Sequence, residues 1–212
     1  MRRWCAVLAC LLVAVAGCGE PAAVVTSQNT NPDGYHAILL PKPYQVTGGK
    51  LTDDEGEQYR FPQDVTKPLT LVFFGYTNCD DVCRIIMTDL TAAVARLDPA
   101  LQDEVGMLFV TSDPERDDPQ TLDRYLGRYN PDFVGLTGAL ATITAIAESV
   151  GVLVEKGEPL PSGGYDVGHG SYVIGLRSDG TAPLVWDTGT SSKEFAEDIT
   201  QAFDTGVAQV GS

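Results

Sequence analysis

Apolar and polar positions change rhythm several times along the chain, and each change marks an element. Residues 19–33 run through Ala, Thr, Ser, Gln, Asn and Pro without apolar periodicity, which reads as a flexible tether. Residues 44–48 and 57–61 alternate around the turn-rich Leu51-Thr52-Asp53-Asp54-Glu55-Gly56, predicting an N-terminal β-hairpin. The continuous apolar run Leu69–Gly75 has the character of a strand buried on both faces of a sheet. Ile86, Leu90, Ala93, Val94 and Leu97 then recur at helical spacing, and 106–112 is a second buried strand. Leu122, Tyr125, Leu126 and Tyr129 mark a second helix, and Ile143, Ile146, Ala147 and Val150 a third, ahead of a strand at 152–155. Strands at 171–176 and 183–187 flank the turn Ser178-Asp179-Gly180. A last helix follows the capping box Ser191-Ser192-Lys193-Glu194, with an apolar stripe of Phe195, Ile199 and Phe203. Strand, helix, strand, helix and a closing hairpin with its helix is an α/β order, and residues 34–212 are expected to form one domain.

The first 17 residues follow a different rule. Arg2 and Arg3 give a charged start, and residues 4–16 form an apolar stretch too short for a permanent bilayer span but long enough for a signal-peptide core. Val15-Ala16-Gly17-Cys18 resembles the lipobox of bacterial lipoproteins. That resemblance implies cleavage before Cys18, a diacylglycerol on its sulfur, and a protein held on the extracytoplasmic side of the membrane by its lipid, with 18–33 as the tether.

Charge supports that arrangement. The whole chain carries 14 Lys+Arg against 29 Asp+Glu, a net −15; losing Arg2 and Arg3 with the signal leaves 12 basic against 29 acidic residues, a net −17. Such a domain has no positive field for phosphate backbones, which excludes nucleic acid as a partner, and an anionic leaflet repels it, so the anchor has to be hydrophobic. A recipient with a basic or neutral face suits it. The hydrophobic share of 43% supports a full core without disulfides, so the cysteines need another explanation.

Of five cysteines, Cys5 and Cys10 leave with the signal and Cys18 goes to lipid. Cys79 and Cys83 remain, directly after the Leu69–Gly75 strand and at the start of the first amphipathic helix. Sulfurs four residues apart there share a face, near backbone N–H groups that favour thiolate. Asp80 and Asp81 oppose this and Arg84 favours it. The pair reads as a structural disulfide, a redox dithiol or a metal site; the first is disfavoured because closing so short a loop gains little stability. His169, in Gly164-Tyr165-Asp166-Val167-Gly168-His169-Gly170-Ser171, precedes a strand with glycine on both sides. Two thiolates and an imidazole suit copper as Cu(I) or Cu(II). His36 has no such context and reads as a loop histidine bonded to a carbonyl or water, while Met87 and Met107 fall at core positions. Asp113-Pro114-Glu115-Arg116-Asp117 reads as a polar strand-to-helix loop near the same sheet edge as the cysteines.

Taken in order, Phe73-Phe74-Gly75-Tyr76-Thr77-Asn78-Cys79 through Cys83, Thr111-Ser112-Asp113-Pro114-Glu115-Arg116-Asp117, Leu136-Thr137-Gly138 and His169 ahead of a strand resemble the Sco/SenC family of copper-binding proteins. The resemblance implies a thioredoxin-like fold, a central mixed sheet flanked by helices, with the hairpin added. It also implies copper ligation by Cys79, Cys83 and His169, and delivery of copper to the centre of cytochrome c oxidase subunit II or another copper-accepting protein. Three positions depart from the family: Asp80 and Arg84 replace prolines after the cysteines, and Gly168 replaces an aspartate before the histidine, a position where Asp166 is a candidate substitute. A thiol-disulfide oxidoreductase that reduces the cysteines of the oxidase copper site is the alternative, with Cys79 and Cys83 as its redox dithiol. Three residues between the cysteines, rather than two, and no proline before Ser171 count against it. Copper sensing or storage without delivery is a third reading.

Overall fold

A computed structural model describes residues 31–79, 81–159, 165–169 and 171–209, with the backbone path alone for 155–159 and 165–169. The elements run β1 (Ile38–Gln45), β2 (Gly49–Asp53), β3 (Gln58–Phe61), β4 (Leu69–Gly75), α1 (Val82–Arg96), α2 (Pro99–Gln102), β5 (Val105–Thr111), α3 (Pro119–Leu126), β6 (Val134–Thr137), α4 (Leu140–Ser149), β7 (Val154–Pro159), β8 (Tyr165–His169), β9 (Val173–Arg177), β10 (Thr181–Trp186) and α5 (Ser192–Asp204). Among the described residues eight strands form one sheet in the order β1-β10-β9-β4-β5-β6-β2-β3, and β7 pairs with β8 separately. β4, β5 and β6 are parallel, and β9 lies antiparallel to β4 on its other side. This is the thioredoxin-like mixed sheet expected of the chain.

The middle strands explain the two-sided burial. In β4, Leu69, Leu71 and Phe73 face a core shared with Ile86, Met87 and Leu90 of α1, Leu122 of α3 and Phe195 and Ile199 of α5. Val72 and Phe74 face the opposite core, against Ile143, Ile146 and Ala147 of α4. β5 divides in the same way, Met107 and Phe109 to one side, Leu108 and Val110 to the other. The capping box of α5 forms as expected: Ser191 Oγ accepts the Glu194 N–H at 3.4 Å, and the Ser191 N–H donates to Glu194 Oε2 at 2.8 Å.

The hairpin exists, but its first arm is Gly49–Asp53 rather than 44–48. Tyr44 belongs to β1, opposite Ala182 of β10. Pro41 and Pro43 lie where the β1 register shifts between Leu39 and Tyr44, and they erase the alternation that announces a strand. The strand expected at 152–155 runs instead over Val154–Pro159. Residues 31–33, the end of the segment read as tether, are held to the domain: Asn31 Nδ2 donates to the Ala37 carbonyl at 2.7 Å, and Gln201 Nε2 to that of Asp33 at 3.0 Å. No helix among the described residues is long and apolar enough to cross a membrane, and Cys18 lies outside them.

Candidate metal centre

β4 ends at Gly75, and the chain turns through Tyr76, Thr77 and Asn78 to Cys79, whose N–H donates to the Tyr76 carbonyl at 3.2 Å. Cys83 is the second residue of α1. Both cysteines are thiols and both are buried, Cys79 at 6% and Cys83 at 0% exposure. Asp81 stands at the N-cap of α1 but its side chain makes no capping bond; the Cys83 N–H instead donates to Cys79 Sγ at 3.4 Å. The start of the helix thus aims one of its unpaired donors at a sulfur.

Glycine at 75 makes room for this. A Cβ there would meet Phe109 Cε2 and Phe73 Cε1 at 3.0 Å and Cys83 Sγ at 3.2 Å. The hydrogen bond with the Cys79 sulfur and then burial push the Cys83 thiol well above its ordinary value, with a backbone bond at Tyr76 pulling the other way. At Cys83 these effects outweigh the helix start, so the metal-free site keeps this proton and a metal would have to displace it.

A buried carboxylate fixes the loop ahead of Cys79. Asp117, fully buried, accepts the Thr77 N–H at 3.0 Å, the Thr77 hydroxyl at 2.5 Å and the Thr111 hydroxyl at 2.7 Å. Burial raises its carboxyl while these three donors pull it down. Ser112 adds a second tie, its N–H donating to the Gly75 carbonyl at 2.7 Å. Asp113 is buried and ion-paired to Arg116, whose guanidinium lies 5.8 Å over the Tyr76 ring. The 113–117 segment, read as a plain polar loop, therefore contains the brace of the cysteine loop. Thr77, Thr111 and Asp117 stand within the segments that carry the family resemblance, but no local pattern gives them a role, because the contacts that make Asp117 a brace join it to Thr77, 40 positions away.

The remaining candidates divide. β8 ends on His169, opposite Val154 of β7. β9 then begins at Val173, whose partner in β4 is Phe73, so the chain leaving His169 enters the sheet at the end where β4 delivers the cysteine loop. The side chains of His169 and Asp166, and Asp80 altogether, lie outside the described residues. Among the described residues no three His, Cys, Asp or Glu side chains converge as a metal site. Met87 and Met107 are buried in the core. His36 differs from expectation in its partners, which are carboxylates: Nε2 lies 3.2 Å from Glu197 and Nδ1 3.7 Å from Glu194.

The SCO1/SenC family model matches residues 45–204. The chain belongs to the SCO1/SenC family. A Stutzerimonas stutzeri protein named "Putative copper-binding protein" is 26% identical over 184 residues, 84% of this chain and 88% of that one. The apo Sco1 protein of Thermus thermophilus superposes with a TM-score of 0.70 at 30% identity, covering 79% of this chain and 96% of the other. ScoI of Bradyrhizobium japonicum, solved with copper bound, gives 0.65 at 29%, covering 74% and 98%. The chain spans just over half the length of the mitochondrial SCO2 homologues it matches.

Proposed function

We propose that this protein is a membrane-tethered copper chaperone that binds copper through Cys79, Cys83 and His169 and delivers it to the copper centre of cytochrome c oxidase. The observation that carries the reading is the pair of buried thiols linked through the Cys83 N–H and Cys79 Sγ, 3.4 Å apart, in a SCO1/SenC chain. The donor set suits the cargo: two soft sulfurs hold Cu(I), an imidazole extends the set to Cu(II), and a buried, apolar surround excludes competing water. A recipient offering its own thiolates takes the ion by ligand exchange. Loading releases thiol protons, so affinity falls as pH falls.

Anaerobic titration of the reduced full chain with Cu(I) tests this, with Cys79→Ser and His169→Ala beside it. The native chain is expected to bind one equivalent and each variant to lose affinity. Absence of binding by the native chain, or equal affinity in both variants, would remove the site. Lipid attachment at Cys18 is tested separately by labelled fatty-acid incorporation, which Cys18→Ser should abolish.

The closeness of the two sulfurs supports a second reading, a dithiol that reduces a disulfide of the oxidase copper site. In that exchange Cys79 and Cys83 lose two electrons and two protons to become a disulfide, and the acceptor's disulfide gains them to become a dithiol. Rapid reduction of an oxidised subunit II fragment that survives His169→Ala would favour this reading over delivery.

A further inference from the structure

Thr77 and Asn78, the two residues ahead of Cys79, line an open cleft of about 500 Å³ together with Thr121, Arg124, Tyr125 and Arg128 from α3 and the turn after it. Its charge is opposite to that of the protein. The chain carries a net −15, yet the described residues that line this cleft include two arginines and no acidic residue. Arg124, in the last turn of α3, and Arg128, in the turn that follows it, are both exposed. Among the described residues neither makes an ion pair. The carboxylate of Asp118 senses the charge of Arg124 but is committed to capping α3, accepting the Thr121 N–H at 2.8 Å. The Arg128 guanidinium lies 5.0 Å over the Tyr125 ring and its Nε donates to the Tyr125 carbonyl at 3.4 Å, which holds it in place with its terminal N–H groups available.

Tyr125 supplies the second observation. It is 3% exposed and packed against Phe109 at 5.4 Å and Tyr129 at 5.3 Å between ring centres, so its ring is a fixed platform under the Arg128 guanidinium. The same side chain lines the cleft and stands within electrostatic reach of both cysteine sulfurs.

We propose that this cleft is a carboxylate-binding subsite that docks an acidic segment of the protein with which Cys79 and Cys83 exchange copper. The two guanidiniums offer bidentate donors to a carboxylate, and the Tyr125 ring fixes the position of one of them. The rest of the acidic surface repels such a segment, so the cleft selects the one approach that brings the partner beside the sulfurs. The nature of the partner rests on the copper-delivery reading; the carboxylate subsite does not.

The test uses the metal-free full chain and a peptide, acetyl-Gly-Asp-Glu-Asp-Gly-amide, carrying a neutral dye and followed by fluorescence anisotropy at low salt. The peptide is expected to bind, and its Asn/Gln counterpart to bind about tenfold more weakly or not at all. Arg124→Gln with Arg128→Gln should weaken the acidic peptide about tenfold. Lys193→Gln, outside the cleft, removes the same charge as either arginine substitution and should leave binding unchanged. Equal binding by the double variant, or equal loss in Lys193→Gln, overturns the proposal. Succinate competing as well as the peptide would make this a site for small free anions and overturn the partner assignment. Because no metal is present, a negative result here is distinct from a failed copper titration, which bears on the ligands alone.

Discussion

Replacing Asp117 by alanine removes the brace of the cysteine loop without touching a sulfur. The carboxylate is fully buried and accepts from the Thr77 N–H, the Thr77 hydroxyl and the Thr111 hydroxyl. Hydrogen bonds to a charged acceptor are worth about 1.5–3 kcal/mol each, but the desolvation of the carboxylate is relieved on its removal, so a net loss of about 3 kcal/mol is expected. For a domain of this size that lowers Tm by about 6–12 °C. Thr77 lies two residues before Cys79, so copper affinity, measured by competition with a Cu(I) chelator, should fall with it. Asp117→Asn keeps the shape and one acceptor and should lose less. It also carries a pH signature. Burial raises this carboxyl above its ordinary value of 3.8, so the folded state holds the proton more tightly than the unfolded one. The contribution of Asp117 to stability is therefore largest below 3.8 and falls as pH rises through the folded value. Across that window the Asn variant should gain on the native chain. A Tm for Asp117→Ala within about 2 °C of native, with unchanged copper affinity, would refute the bracing role.

Gly75→Ala places a methyl group 3.0 Å from two phenyl rings and 3.2 Å from Cys83 Sγ; overpacking should destabilise by about 1–3 kcal/mol in denaturant unfolding and weaken copper binding by displacing the sulfur. Asp198 is buried and accepts the His36 N–H at 2.9 Å, the Ala37 N–H at 2.7 Å and Trp186 Nε1–H at 2.8 Å. Asp198→Ala should cost about 2–4 kcal/mol, with faster hydrogen exchange in β1. Ser191→Ala, which breaks the capping box of α5, should cost about 1 kcal/mol in the same unfolding assay, whereas Ser191→Asn should cost little.

Where the sequence was legible, local periodicity and burial agreed. β4 was readable end to end because it lies at the centre of the sheet, flanked by β9 and β5 and covered on both faces, and so has to be apolar at every position. The α5 cap was readable because its two partners lie three residues apart. β1 was not readable, since its pairing with β10 spans most of the chain and its prolines hide the alternation. β6, four residues long, was too short for its pattern to stand out, although it forms one wall of the parallel core.

The candidate site divides in the same way. Cys79 and Cys83 could be paired from sequence alone, because four residues across a helix start fix their separation by local geometry. Their chemistry was decided by tertiary structure. The helix start alone favours thiolate, but the buried neighbouring sulfur raises Cys83, and that balance depends on how Phe73, Phe109 and α1 close around Gly75. Asp117 becomes a brace, and Arg124, Arg128 and Tyr125 become one cleft with Thr77 and Asn78, only because parallel pairing of β4 and β5 sets their following loops side by side. Contacts between residues tens of positions apart leave no periodic trace in the chain, so spacing named the sulfurs while the fold supplied what holds and surrounds them.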